Sequence, residues 1–368
     1  MMRYVFSGFF LFLSLFMAGQ TSGPATPKHI QVDRNINLDV LFTVYNQIWT
    51  PFLDEGVSEA MLENTRLMKV NHDYFVEFKN HVAISKSRDF MQKSGTDFFL
   101  YAFYYDNFPN ATRIRDIPEI LTKDINPDRS LALAEIDALM SDIASFVRES
   151  DFKRFQNQYA YVHRMAKEEV LKNLPKTGFI SFMEDYFGSE YTAYNFYVIP
   201  FFKTEFGMAH QIPTEEGMEN ITFIAPFEPA ELVLVNRVRY VGYESQKDIL
   251  EWVVHEYSHT FFNPPLITDQ HMNMLNEFDH LYQTIESSPY YSNWFSIFAE
   301  HLAVAFEVRA AVLLGEEGRA KDIRERHNDW PYLDHFINQL KYYEEHRAKY
   351  PNIASFIPAV IASCKMLE

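Results

Sequence analysis

The run SQKDILEWVVHEYSHTFF, from Ser245 to Phe262, carries the strongest structural signal in the chain. Ser245, followed three residues later by Asp248, has the form of a capping box with an acidic last position, which predicts that a helix begins just before the histidines. Within this helix His255 and His259 are four residues apart. Side chains at that spacing lie about 6 Å apart on one face, so two imidazoles can close onto one cation.

Glu256 follows the first histidine and points to the side on which a metal-bound water would lie. Zinc lowers the pKa of such a water toward about 7, and a carboxylate outside the coordination sphere can then accept its proton as the water attacks a carbonyl. The string HEYSH therefore predicts zinc held by His255 and His259, with Glu256 as general base. In the alternative interpretation both histidines pack in the core without metal, but each buried imidazole would then need its own hydrogen-bond partners.

A third ligand is expected, because a catalytic zinc usually has three protein ligands and one open position. The run from Asn293 to Leu314 is apolar nearly all round and predicts a buried helix that contains Glu300. A buried carboxylate normally has a cation or a full set of donors as its partner. We therefore expect Glu300 to be the third ligand, with the small Ala303 one turn on letting the two helices approach closely.

The spacing leaves other third ligands open. The segment NEFDH follows His259 at a distance found in compact sites with two histidines and one glutamate, and the buried helix has further ionisable groups. Without metal, Glu300 would instead form an internal salt bridge with a base such as Arg309. The pattern of three histidines in HExxHxxGxxH is excluded, because Phe262 and Pro265 occupy the required positions. The alternative ligands are Glu277, Asp279, His280, His301 and Glu307.

Composition limits the class of protein. The chain has 368 residues, 47% of them hydrophobic and 16% aromatic, which is enough for a large core. Lys and Arg total 33 against 50 Asp and Glu, a net charge of -17 without a basic stripe, so a nucleic-acid partner is disfavoured. Because Cys364 is the only cysteine, an intrachain disulfide is impossible.

The first residues have the features of a secretory signal peptide. Arg3 precedes an apolar run from Tyr4 to Met17, and small or polar residues follow at Ala18 and Gly19. We expect residues 1–19 to be cleaved, leaving a secreted or periplasmic protein with no membrane span. An uncleaved anchor is the weaker alternative, because the apolar run is shorter than the ~20 residues of a spanning helix.

The remaining chain divides softly near Lys176 into a mainly helical region, 20–175, and a region of strands followed by helices, 176–368, which indicates an α+β fold. The second region contains the site helix, 245–262, and the third-ligand helix, 293–314. Further predicted helices are Leu38–Trp49, Met61–Lys79, Ile136–Val147, Phe152–Val162, Thr268–Glu286 and Ile353–Met366. Predicted strands are Tyr194–Phe202, Ile221–Pro226 and Leu232–Tyr240.

HEYSH on one helix and Glu300-His-Leu-Ala303 on a later one resemble the gluzincins, the thermolysin-like zinc hydrolases with two His ligands and one Glu. The chain also resembles a family of exported bacterial proteins known only as a domain of unknown function. The similar segments are DYFVEFKNH (Asp73 to His81), FMEDYFG (Phe182 to Gly188), YVIPFF (Tyr197 to Phe202) and HEYSHTFFNPP (His255 to Pro265).

The resemblance implies a zincin-like catalytic region, in which a small mixed sheet packs on the site helix, and peptidase activity on a peptide or protein substrate. In gluzincins a Tyr, His or Arg usually stabilises the oxyanion. The candidates here are Tyr290, Tyr291, His271 and Arg309. The gap from His259 to Glu300 is longer than in thermolysin itself. Two alternative functions are a zinc-binding protein without turnover and a metal-free surface binding protein.

Overall fold

The computed structural model describes residues 28–49, 63–234, 237–287, 291 and 293–368, so the predicted signal peptide and Tyr290 lie outside the described residues. The helices are α1 (Ile36–Ile48), α2 (Arg66–Phe75), α3 (Val82–Ser94), α4 (Arg129–Glu149), α5 (Phe152–Asn173), α6 (Phe179–Phe187), α7 (Gln246–Leu266), α8 (Asp269–Asn276), α9 (Trp294–Leu313), α10 (Glu317–Arg326), α11 (Leu333–Glu345) and α12 (Ile353–Ser363). The strands are β1 (Ile30–Asp33), β2 (Ala193–Val198), β3 (Gly207–Thr214), β4 (Gly217–Ile224), β5 (Glu231–Leu234) and β6 (Arg237–Tyr240).

A small mixed sheet lies between the two helical regions, which confirms the predicted α+β class. Its strand order is β1-β2-β4-β3. The β1/β2 and β2/β4 pairs are parallel, and the β3/β4 pair is antiparallel, with Gly207 opposite Ile224. Strands β5 and β6 form a separate hairpin. Among the described residues β3 therefore forms one edge of the sheet.

The two faces of the sheet contact different helical regions. On one face Tyr194 of β2 packs against Tyr257 of α7, with ring centroids 5.5 Å apart. On the other face Phe103, from a 3-10 segment of the N-terminal region, lies 5.6 Å from Tyr197 and 6.0 Å from Phe223 between ring centroids. Successive side chains along each strand point to opposite faces, so the sheet has two apolar faces. The hydrophobic core is therefore continuous across both helical regions.

Asn220 of β4 links the sheet to α7 by a polar contact. Its Nδ2 donates to Thr260 Oγ1 at 2.7 Å, and both residues are buried. Pro264, inside the last turn of α7, has no N–H to donate to the Thr260 carbonyl. The Tyr191 hydroxyl donates to that carbonyl instead, at 2.5 Å. Pro264 therefore leaves a carbonyl free to bind Tyr191, just before β2, which ties the end of α7 to the chain entering the sheet.

Several predicted elements differ from the structure. Strands β1 and β3 are not among the predicted strands. The single strand expected from Leu232 to Tyr240 is the β5/β6 hairpin. The helix expected from Thr268 to Glu286 ends at Asn276, followed by a 3-10 turn at Asp279–Leu281. Helices α1, α4, α5 and α12 lie where the periodicity placed them, and the predicted boundary near residue 176 stays a prediction.

None of the described helices combines the length and the apolarity that a bilayer crossing requires.

Candidate metal centre

Helix α7 begins where the capping signal predicts. Ser245 is the N-cap, and its side chain accepts a hydrogen bond from the Asp248 backbone N–H at 3.1 Å. The reciprocal contact of a full capping box is not among the described hydrogen bonds, which suits the acidic residue at the last position. His255, Glu256 and His259 then lie in the middle of the helix, away from its frayed ends.

The loop before α7 is held by a buried carboxylate from α5. Glu169 accepts hydrogen bonds from the backbone N–H groups of Val241, Gly242 and Tyr243 at 2.9, 3.1 and 2.9 Å. Gly242 has φ 114°, and a Cβ there would lie 2.2 Å from the Glu228 carbonyl oxygen, so only glycine fits. We name the contact of Glu169 with residues 241–243 the α5 latch. It fixes the direction in which the chain enters the site helix.

Helix α9 packs directly against α7. Asn293 caps it, with a full capping box to Ser296. The helix is apolar nearly all round, as predicted, and Ala303 is fully buried at the contact. Its one-carbon side chain lets the two helix axes approach, which brings Glu300 next to the histidines.

Three ligand atoms meet between α7 and α9. The Nε2 atoms of His255 and His259 are 3.1 Å apart. The Glu300 carboxylate lies 3.4 Å from His255 Nε2 through Oε2, and 3.5 Å from His259 Nε2 through Oε1. These three residues form a group whose ligand atoms could hold a metal ion. Among the described residues, the structure thus brings together the three ligands that the sequence predicts.

The spacing of these atoms fits a small tetrahedral ion. Ligands about 2.0 to 2.1 Å from a tetrahedral zinc are about 3.3 Å from one another. The observed separations, from 3.1 to 3.5 Å, bracket that value, with a different Glu300 oxygen nearest to each imidazole. One N–H···N hydrogen bond can satisfy two facing imidazole nitrogens, whereas a cation between them would bind the lone pairs of both nitrogens and of the carboxylate. The donor set therefore matches zinc in both chemistry and spacing.

The other ring nitrogen of each histidine has a different environment. Glu307, two turns after Glu300 on α9, places Oε1 at 2.7 Å from His255 Nδ1. Such a contact fixes the tautomer that leaves Nε2 free to bind a metal. His259 Nδ1 is buried and has no hydrogen-bond partner among the described residues. Glu307 was predicted only as an alternative ligand; its position behind His255 assigns it the supporting contact.

Charge and burial shift the pKa values of His255 and Glu300. Burial by itself lowers the pKa of His255, but hydrogen bonds to Glu300 and Glu307 and the charges of these two carboxylates outweigh it and raise that pKa well above its ordinary value. Burial likewise acts to raise the pKa of Glu300, but the charge of His259 and the imidazole hydrogen bonds hold it well below its usual range. The carboxylate is therefore ionised, as a ligand must be.

Glu256 lies beside the three candidate ligands and is 6% exposed. Burial raises its pKa, partly offset by the positive charges of His255 and His259. A general base gains proton affinity from such an environment. Glu256 also lies close to the edge strand: a Cβ added at Gly207 would be 3.2 Å from its Oε1.

Of the remaining candidate residues, one contacts the ligand group and the others have different partners or are exposed. The Tyr291 hydroxyl donates to Glu300 Oε2 at 3.0 Å, so this tyrosine belongs to the site. Arg309 instead pairs with Glu344, with Nε 2.9 Å from Oε1. His271 Nδ1 hydrogen bonds with the Pro265 carbonyl, and His301 Nδ1 donates to the Ile297 carbonyl at 2.7 Å. The alternative ligands of the NEFDH segment are exposed: Glu277, Asp279 and His280.

Comparison with known proteins gives a family. Residues 30–363 match a family described as a domain of unknown function, DUF4932. The chain belongs to the DUF4932 family. No curated protein and no solved structure matches it. Since the match covers nearly all of the described chain, the candidate metal centre lies within the matched residues.

Proposed function

We propose that this protein is a zinc-dependent peptidase, in which His255, His259 and Glu300 hold the ion and Glu256 is the general base. The observation that carries this proposal is the close approach of two imidazole nitrogens and the Glu300 carboxylate, beside the buried carboxylate of Glu256. A bound zinc ion supplies a Lewis acid that polarises the substrate carbonyl and makes water nucleophilic at neutral pH.

Glu256 performs the proton transfers in this proposal. Its carboxylate accepts a proton from the attacking water, and the same group can return it to the amine that leaves when the amide bond breaks. Burial raises the pKa of this carboxylate, which favours acceptance of the proton. In this proposal Glu300 holds the ion and Glu307 contacts His255 Nδ1, so neither takes part in the transfer.

Tyr291 is the proposed donor to the oxygen that becomes negative during attack. Its hydroxyl is 3.0 Å from Glu300, inside the site. Burial and the Glu300 charge raise the pKa of Tyr291 far above its ordinary value, so the hydroxyl keeps its proton. A neutral phenol next to the reacting carbonyl can stabilise the oxyanion by a hydrogen bond.

The edge strand β3 favours a peptide as the substrate. The Phe206 carbonyl accepts from the Ala225 N–H at 2.8 Å, so Phe206 and Ala225 form a hydrogen-bonded pair. Since such pairs alternate with non-bonded pairs, the backbone groups of Gly207, Ala209 and Gln211 point away from β4. An extended peptide can pair with these groups along α7. Pro213, which has no N–H, occupies the next outward position.

The proposed place of action is outside the cytoplasm. The support is the signal-peptide pattern of residues 1–19, with a basic residue before an apolar run. In this setting the substrate is an exported or extracellular peptide or protein.

Replacing Glu256 with Gln tests the mechanism. The variant should keep its zinc, measured by elemental analysis after purification without chelators, and lose peptide cleavage by about 10³-fold or more. Glu277→Gln, the same change at an exposed glutamate, is the matched control and should cleave normally. Cleavage that persists in Glu256→Gln would refute the mechanism.

Two measurements distinguish the alternative functions. Near-stoichiometric zinc without any Glu256-dependent cleavage would indicate a zinc-binding protein without turnover. Absence of zinc, even after incubation with the ion, would indicate a metal-free binding protein in which HEYSH has a structural role.

A further inference from the structure

Trp252 stands beside the general base at the surface of α7. It lies four residues before Glu256, so both side chains project from one face of the helix. Both also reach the same point on the edge strand. A Cβ added at Gly207 would be 2.6 Å from Trp252 Cζ3, 2.8 Å from its Cε3 and 3.2 Å from Glu256 Oε1. The six-membered ring of the indole and the carboxylate therefore lie side by side against one glycine.

The Trp252 indole packs against the core but keeps part of its surface accessible. Trp252 is partly buried, and its ring centroid is 6.3 Å from that of Phe227, which is 8% exposed. Phe227 therefore supports one part of the indole from the core. Because Trp252 is only partly buried, some of this rigid, largely apolar side chain remains accessible beside the proposed reaction centre.

The pairing geometry of β3 directs a substrate side chain to this indole. The absent side chain of Gly207 would point toward α7, since its Cβ direction meets Trp252 and Glu256. Cross-strand neighbours project to the same face of a sheet. A peptide residue that pairs beside Gly207 therefore projects its side chain toward α7. Ala209, the next residue on that face, is also small and leaves space between strand and helix.

From these contacts we infer that Trp252 is a specificity-determining residue, which selects a large apolar side chain, aromatic or aliphatic, adjacent to the bond that is cleaved. The inference rests on the proposed peptidase function. Its chemical basis is the area that an indole and an apolar side chain remove from water when they stack. A charged side chain at the same position would lose its hydration without gaining a partner.

The cleavage preference of the full-length, zinc-loaded protein tests this inference. A mixed peptide library is digested by the wild type and by Trp252→Ala, Trp252→Phe and Tyr342→Ala, and the cut bonds are identified by mass spectrometry. The wild type should favour a large apolar residue beside the bond. Trp252→Ala should reduce kcat/KM for such peptides by about tenfold or more, mainly through KM, and affect Ala-containing peptides little. Trp252→Phe should keep most of the preference.

Tyr342→Ala is the matched control, because it removes an aromatic ring that is 39% exposed on α11. It should leave the profile unchanged, and thermal unfolding of every variant checks the fold. An unchanged profile in Trp252→Ala would overturn the inference. So would a wild type that prefers small residues and accepts large ones only after Trp252→Ala, since the indole would then fill the space.

A binding measurement separates this inference from the peptidase proposal. Calorimetric titration of Glu256→Gln and of Glu256→Gln/Trp252→Ala uses two acetylated hexapeptides that differ only by Phe or Ala at one position. The first protein should bind the Phe peptide about tenfold more tightly, and the second should bind both equally. Equal binding by the first protein refutes the role of Trp252. Selective binding without any wild-type cleavage refutes the peptidase proposal and leaves the apolar subsite in place.

Discussion

Two largely buried glutamates, Glu169 and Glu300, differ in the groups that contact their carboxylates. In the α5 latch, Glu169 accepts from three backbone N–H groups whose positions are fixed by the chain. Between α7 and α9, Glu300 faces two imidazole nitrogens that themselves lie 3.1 Å apart. The backbone hydrogen bonds satisfy the oxygens of Glu169, so this carboxylate needs no further partner. The imidazoles opposite Glu300 can either donate protons to it or, once deprotonated, bind a cation together with it, so this carboxylate can exchange its partners for a metal ion.

The largest effect is expected from Glu300→Ala. Removing the only acidic ligand of the group should lower zinc affinity by several orders of magnitude, because two neutral imidazoles neither balance the ion's charge nor complete its coordination. Competition with a chromophoric chelator measures the affinity. Glu277→Ala, an exposed residue that the sequence also offered as a ligand, is the control. If Glu277→Ala loses zinc and Glu300→Ala does not, the ligand assignment is wrong.

Glu169→Ala should lower the stability of the fold and leave zinc affinity nearly unchanged. It leaves three buried N–H groups unpaired and should lower the free energy of unfolding by about 3 kcal/mol. Urea denaturation measures the loss. Zinc affinity of the folded protein should change little, since Glu169 lies outside the ligand group. A large loss of zinc affinity with normal stability would contradict the distinction between the latch and the metal centre.

Glu307→Gln sharpens the comparison inside the metal centre. The amide oxygen can still accept from His255 Nδ1, but the negative charge that strengthens the ligand is lost. We expect zinc affinity to fall about 10- to 100-fold, a typical effect of changing such a partner. Glu317→Gln, exposed at the start of α10, serves as the control. An affinity within twofold of the wild type would exclude the supporting role of Glu307.

The smallest expected effect is the pH dependence of the free energy of unfolding that His163, on α5, causes. Burial lowers the pKa of His163 to about 4, despite Asp39 nearby, and Arg34 adds to the lowering. Since the unfolded value is about 6.5, the unfolded state binds the proton more readily, and stability present above pH 6.5 is lost as pH falls toward 4.

Between pH 7.5 and pH 5 this residue should account for a loss of roughly 1 to 2 kcal/mol in the free energy of unfolding. Urea titrations at several pH values measure the loss. His163→Gln should flatten that part of the profile, and the exposed His280→Gln should not. Parallel profiles for the wild type and His163→Gln would show that other groups cause the acid sensitivity.

The site helix and its partner could be predicted because their signals are local. A cap before a short motif places His255 and His259 on one face, and a nearly uniform apolar run buries Glu300. The role of Glu307 could not be fixed in the same way. Glu307 is seven residues, two helical turns, after Glu300, so both point toward α7, and only the packed helices show which one meets Nε2 and which one meets Nδ1.

The edge strand was missed for a different reason. The β3 sequence, GMAHQIPT, has Gly and Pro and few β-branched residues, so its local propensity favours a loop. Pairing with β4 along its whole length overrides this preference. Strand β1 is only four residues long and depends in the same way on a partner far away in the chain, β2. Long-range pairing of this kind leaves little trace in a single sequence.

The contact between Asn220 and Thr260 has a practical consequence for producing the protein. Asn220-Ile-Thr222 has the triplet that eukaryotic secretion machinery glycosylates, but in the folded chain the Asn220 amide is buried and donates to Thr260 at 2.7 Å. A glycan attached there before folding would keep β4 from packing on α7. Asn110, in the triplet Asn110-Ala-Thr112, is exposed and would accept a glycan without that conflict. Bacterial expression avoids the problem, and Asn220→Gln is a poor remedy because its longer side chain has no room in the same contact.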